Sequence, residues 1–190
     1  MTNAFTPMNS NIFPAFPQAM ERAAKIKLLI LDVDGVLTDG SLLIGPDGKE
    51  ALKIFDSLDG HGIKLLQSTG VTVAIITGRN STMVEGRAKE LGIKHVQMGI
   101  SKKAEALQNL LNLTGFQLSE CAAMGDDWPD LSVLPKVQLA ACPSQAHEEI
   151  KKIAHFVTQK KGGAGAVREV CDLILLAQDN YSRLLKEALI

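Results

Sequence analysis

Four consecutive apolar residues, Leu28-Leu29-Ile30-Leu31, end abruptly in Asp32, and a second carboxylate, Asp34, follows two positions later. A short run without a polar face reads as a strand covered on both sides, the centre of a parallel sheet. Open α/β sheets bind their ligands just beyond the carboxyl ends of such strands. Two acids at that place, followed by Gly35 to free the backbone, have the form of a nucleophile and its proton-handling partner.

Similar apolar segments recur at 71–76, 95–98, 120–124, 137–141 and 155–158, besides the first at 27–31. Helical patterns fill the gaps at 60–68, 81–91, 102–113, 147–153 and 166–178, the last extendable towards 188. Alternation at this spacing predicts an α/β fold with a doubly wound, Rossmann-like parallel sheet. One segment breaks the rhythm: 41–44 and 51–55 flank Gly45-Pro46-Asp47-Gly48, a turn composition, and predict an inserted β-hairpin. Leu42, Leu43, Ile44, Leu52, Ile54 and Phe55 put apolar groups on both of its faces, which predicts either packing on its own domain or, the favoured reading, a contact between copies of the chain.

At 190 residues and 46% hydrophobic content, one domain over 26–190 follows, preceded by an arm over 1–25 with a short helix at 18–24. The net charge of −1 gives no electrostatic reason to expect nucleic acid or an anionic membrane as partner. The arm has no charged side chain before Glu21, so it lacks the basic start of a secretory signal. No segment approaches the ~20 apolar residues of a membrane span. Cys121, Cys142 and Cys171 are odd in number and lie in apolar runs, as buried reduced thiols do. A cytoplasmic protein is the expectation.

Four motifs lie at or just past strand ends: Asp32-Val33-Asp34-Gly35; Thr77-Gly78-Arg79-Asn80; Lys103 near a helix start; and Gly125-Asp126-Asp127-Trp128-Pro129-Asp130. Each alone has a plain structural explanation, a capped turn, a strand end or a solvated lysine. Together, in this order, they carry the elements of phosphoryl transfer. A phosphate monoester dianion repels an anionic nucleophile unless a cation neutralises the charge, and magnesium takes one or two carboxylates besides phosphate oxygens and waters. Asp32 is the expected nucleophile and a metal ligand. Asp126 is the second metal carboxylate, and the backbone carbonyl of Asp34 a further oxygen. Thr77 would hold the phosphoryl oxygens and Lys103 would neutralise charge. Asp34 would protonate the leaving alkoxide and then activate water.

These motifs resemble, element by element, those of the haloacid dehalogenase superfamily. Only 43 positions separate Asp34 from Thr77 and 26 separate Thr77 from Lys103, too few for the cap domain that many members insert. Within the superfamily the chain is similar to the capless 3-deoxy-D-manno-octulosonate 8-phosphate phosphatases. The likeness is carried by residues 32–40, by Asp59-Gly60-His61-Gly62-Ile63, Thr77-Gly78-Arg79-Asn80-Ser81 and Gly125-Asp126-Asp127, and by 87–93 and 165–170. The resemblance implies a magnesium-dependent phosphatase of lipopolysaccharide sugar synthesis working through an aspartyl-phosphate. It also implies a homotetramer built through the hairpins, each subunit lying against its neighbour's site.

Substrate contacts then map to Asp34, Asp56, Ser57, Leu58, Asp59, Gly60, Lys64, Gly78, Arg79, Arg87 and Lys103. Arg79 and Arg87 also have helix acids nearby, Glu85 and Glu90, with which to pair. His61 is expected to be a structural loop residue. Two positions depart from the family pattern, Leu58 and Ala164, where arginine is common; Lys160 and Lys161 could stand in for one of them. Two alternatives follow. A phosphatase of another acidic sugar phosphate, such as a sialic-acid-type 9-phosphate, would carry the same motifs. A non-catalytic oligomeric scaffold would be expected to lack Asp32, Thr77, Lys103 or Asp126, all of which are present.

Overall fold

The computed structural model describes residues 17–189, so 1–16 of the expected arm lie outside the described residues. The strands are β1 (Leu28–Leu31), β2 (Leu43–Ile44), β3 (Glu50–Leu52), β4 (Thr72–Ile76), β5 (His95–Gln97), β6 (Cys121–Met124), β7 (Leu139–Cys142) and β8 (Phe156–Val157). The helices are α1 (Pro17–Ala23), α2 (Ser57–Ser68), α3 (Thr82–Glu90), α4 (Lys103–Thr114), α5 (Glu148–Ile153), α6 (Ala166–Ala177) and α7 (Tyr181–Glu187). A six-stranded sheet runs in the order β5-β4-β1-β6-β7-β8, every neighbouring pair parallel.

The uninterrupted apolar character of β1 reflects its central place. Leu29 and Leu31 pack on one face with Ile63 and Leu66 of α2, Val84 of α3 and Val170 and Ile174 of α6. Leu28 and Ile30 pack on the other with Leu107 and Leu110 of α4 and Ile150 of α5. The two-residue period of a strand divides its side chains between two helical layers, and each buried aliphatic side chain contributes roughly 1.5–3 kcal/mol of transfer free energy. β1 lies between β4 and β6, where the connections diverge to either side, the place at which doubly wound sheets open a crevice.

Several boundaries differ from the expected ones for local reasons. Helix α2 begins three residues early because Asp56 caps it, accepting from the backbone N–H of Leu58 at 2.6 Å and of Asp59 at 3.1 Å. His61 therefore sits in a helix, exposed to solvent, and not in a loop. The C-terminal helix does not run on to 188: Asp179, with φ 58°, breaks it between α6 and α7. All three cysteines are free and buried.

β2 and β3 form the expected hairpin, antiparallel and apart from the main sheet. Leu42, Leu43, Ile44, Leu52 and Ile54 are exposed on it. Phe55 instead turns inward against the core, with the Arg87 guanidinium 5.9 Å above its ring. The Gly162–Gly163 segment packs on the loop after β1, where Gly163 N–H donates to Val36 O at 3.1 Å. A Cβ at Gly162 would lie 1.9 Å from Gly35 O, so only glycine permits this approach. Among the described residues no helix is long and apolar enough to cross a membrane.

Candidate active site

The carboxyl ends of β1, β4 and β6 deliver Asp32, Thr77 and Asp126 to one cavity of about 510 Å³. Asp34, Gly78, Arg79, Lys103, Asp127 and Asp130 also line it. Strand pairing sets these positions. Asp32 N–H donates to Met124 O at 3.1 Å, Thr77 N–H to Gln97 O at 2.9 Å, and Ile100 N–H to Thr77 O at 3.0 Å. A hollow of about 490 Å³ opens at the other end of β4, lined by Gln67, Thr72, Lys94 and His95 among others, but no carboxylates converge there. Chemistry, not volume, marks the site.

Lys103, the first residue of α4, is 5% exposed. Its ammonium sits 2.9 Å from Asp32 Oδ1 and 2.7 Å from Asp130 Oδ1. Burial opposes the charge, but the two carboxylates outweigh it and hold the lysine above its usual value. Asp130 uses its second oxygen to accept from Asp126 N–H at 3.1 Å. One buried carboxylate therefore positions both the lysine and the loop of the neighbouring acid. No role for Asp130 follows from its place in the sequence; its only sign there is that the fourth motif runs on through further acids.

Asp32, Asp126 and Asp130 each offer an oxygen within 4.8 Å of the others. Burial pushes the Asp32 carboxyl up to about 6, with Lys103 pulling it down and Asp130 adding to the rise. Burial likewise raises Asp126 to about 7, reinforced by Asp32, Asp130 and Asp127. Three carboxylates against one ammonium leave a double negative charge, which hard divalent cations with oxygen ligands complement. A Cβ on Gly35, whose φ is 85°, would stand 2.0 Å from Asp126 Oδ2, so the loop after β1 closes tightly over this carboxylate. The donor set fits magnesium. The Asp34 carboxylate lies outside the cluster, bound to Lys53, which is compatible with the expected use of its backbone carbonyl, not its side chain, as a cation ligand.

Lys53, just after β3, has a side chain only 1% exposed, ion-paired with Asp34 Oδ1 and, at 2.7 Å, with Glu50 Oε1. Arg79 Nε lies 4.0 Å from Asp34 Oδ2 and 3.8 Å from Glu50 Oε1. Arg79 thus pairs with acids of the site and the hairpin, not with Glu85.

The remaining expected contacts do not line this cavity within the chain. Arg87 donates to Glu90 Oε2 at 2.8 Å and to Asp56 O at 3.1 Å, and packs against Gly60. Asp59 is 1% exposed; it accepts from Arg168 N–H at 2.7 Å and Gly165 N–H at 3.4 Å, closing the N-terminus of α6. Asp56 is occupied as the cap of α2. Ser57, Leu58 and Lys64 are exposed, as are Lys160, Lys161 and Ala164.

A family model described as haloacid dehalogenase-like hydrolase matches residues 96–170. The 3-deoxy-D-manno-octulosonate 8-phosphate phosphatase KdsC of Yersinia pestis is 48% identical over 166 residues, spanning 87% of this chain and 88% of that protein. The corresponding phosphatase from Moraxella catarrhalis, solved with magnesium ion, phosphate ion and a KDO molecule, superposes with a TM-score of 0.86. It is 42% identical, covering 90% of this chain and 97% of that one. The cobalt-bound enzyme of Haemophilus influenzae gives a TM-score of 0.82 at 37% identity, covering 85% and 94%.

Proposed function

The chain belongs to the haloacid dehalogenase-like hydrolases, in their 3-deoxy-D-manno-octulosonate 8-phosphate phosphatase branch, and from that premise we propose how its residues perform the reaction. The protein is a magnesium-dependent phosphoric monoester hydrolase that converts 3-deoxy-D-manno-octulosonate 8-phosphate to the free sugar acid and phosphate. The observation that carries this reading is the convergence of Asp32, Lys103 and Asp126 with Thr77 in one cavity, on a chain 48% identical to such a phosphatase.

Magnesium, when bound by Asp32, Asp126 and the Asp34 carbonyl, supplies the charge neutralisation that lets an anionic oxygen approach a phosphate dianion. An Asp32 oxygen attacks phosphorus. The bond to the sugar oxygen breaks in line, and Asp34 gives its proton to the departing alkoxide. Asp34, now a base, takes a proton from water as that water attacks the aspartyl-phosphate, releasing phosphate and restoring Asp32. Thr77 and the amides after it hold the equatorial oxygens, and Lys103 offsets the charge that gathers on them and on Asp32.

Arg79, with Gly78 at the mouth, recognises the sugar acid, and residues 56–60 at the start of α2, Lys64 and Arg87 complete the pocket from an adjoining subunit. The exposed apolar hairpin supports a homotetramer assembled through residues 41–55, which would supply that neighbour. Free buried cysteines support a reducing, cytoplasmic location and a place in lipopolysaccharide synthesis is consistent with it. Phosphate release across a panel of acidic sugar phosphates tests the substrate. Strongest turnover of the eight-carbon ester is expected, and preference for a nine-carbon 9-phosphate would reassign it.

A further inference from the structure

Lys53 is a cation with a buried side chain that touches neither the phosphoryl group nor the metal ligands Asp32 and Asp126. It lies on the hairpin side of the site, yet its ammonium reaches the acid that moves the proton. Lys53 donates to Asp34 Oδ1 and is ion-paired with Glu50 Oε1 at 2.7 Å. Burial opposes its charge, but Asp34 and Glu50 hold it above the usual lysine value. Glu50, whose side chain is 9% exposed, is kept below the usual carboxylate range despite burial by Lys53, Ser81 and Arg79. Two basic and two acidic side chains thus meet across the hairpin, the loop after β1 and the loop after β4.

A carboxylate side chain has a two-fold terminal torsion that is broad and easily turned. Lys53, its own side chain withdrawn from solvent, occupies Oδ1 of Asp34. Oδ2 is left to the other side, 4.0 Å from Arg79, which lines the cavity together with Asp34. We propose that Lys53, braced by Glu50, is a positioning residue that fixes the Asp34 carboxylate so that Oδ2 is the oxygen that delivers the proton to the leaving alkoxide. In that step the bond from Asp32 to phosphorus forms, the bond from phosphorus to the sugar oxygen breaks, and the proton on Oδ2 passes to that oxygen. The proposal rests on Asp34 acting as the acid.

The test compares kcat/KM for 3-deoxy-D-manno-octulosonate 8-phosphate, whose alkoxide needs a proton, with 4-nitrophenyl phosphate, whose leaving group does not. A positioned general acid is worth about 10²–10⁴-fold, so Lys53→Met is expected to lower the sugar-phosphate rate by about 10²-fold and the aryl rate far less. Lys53→Arg should recover much of the lost selectivity. Both rates are taken on one preparation, so their ratio does not depend on the fraction folded. Equal losses on the two substrates, or no loss, would overturn the proposal and make Lys53 a brace for the hairpin alone. Asp34→Asn run alongside separates the two readings. If it loses the sugar-phosphate rate selectively and Lys53→Met does not, Asp34 remains the acid and only the positioning fails; if Asp34→Asn is not selective either, the assignment of the acid fails with it.

Discussion

Lys103 and Asp130 are joined at 2.7 Å across 27 positions of chain, and the lysine's other contact is Asp32 at 2.9 Å. The same Asp130 receives the backbone N–H of Asp126. An aspartate that lies outside the expected site set therefore orients the cation beside Asp32 and the loop that carries Asp126.

Asp130→Asn is expected to weaken magnesium affinity about 10–100-fold, the usual loss when a residue that orients metal ligands is removed. Magnesium titration of phosphate release reads this directly. An unchanged half-saturation point would reduce Asp130 to a packing residue.

Asp32→Asn is expected to abolish turnover and the acid-stable labelling of the protein by ³²P substrate. Residual activity near that of the wild type would exclude Asp32 as the nucleophile.

Chelation with EDTA is expected to silence the enzyme and added magnesium to restore it, because three carboxylates face one lysine in the cluster. A rate indifferent to chelator would contradict a metal site at Asp32 and Asp126.

Placing a charge on the hairpin, as Leu43→Asp or Ile54→Asp, is expected to weaken the assembly. These side chains are 39% and 68% exposed, so the single subunit loses little from either change. Sedimentation velocity checks it: an unchanged coefficient for both variants would show that the hairpin makes no contact between copies of the chain.

Asp59 gives the stability a definite pH dependence. Burial raises its carboxyl from 3.8 to about 6, more than its backbone donors lower it. The folded state therefore holds the proton more tightly, so this stabilisation is complete below about pH 4 and is lost as pH rises through about 6. Roughly 3 kcal/mol is the ceiling, or about 6–12 °C in Tm for a chain of this size. In Asp59→Asn that decline is missing, so the wild-type advantage in Tm should shrink by several degrees between pH 4 and pH 7. A gap independent of pH would show that Asp59 folds without a proton preference.

Much of the site could be read from local pattern. Asp32, Thr77 and Asp126 each follow an apolar run, and runs of that kind become neighbouring strands whose ends share one crevice. The hairpin was legible too, from a turn composition between two apolar segments. Arg87 and Asp59 were less so. Both stand in motifs that resemble substrate-binding ones, and within the chain Arg87 donates to Glu90 and Asp56 while Asp59 closes the end of α6. A motif records which residue is present; it does not record which way the side chain turns once a helix cap or a distant backbone amide competes for it.

The sequence by itself determined the parallel sheet, the order of the four motifs and the absence of room for a cap, since hydrophobic periodicity and spacing act over a few residues. Only the tertiary structure decided the partnerships: Asp130 with Lys103, Lys53 with Asp34 across 19 positions, and Asp59 with Arg168 across 109. Each pairs groups whose burial requires a partner, and burial arises only when strands and helices distant in the chain close together.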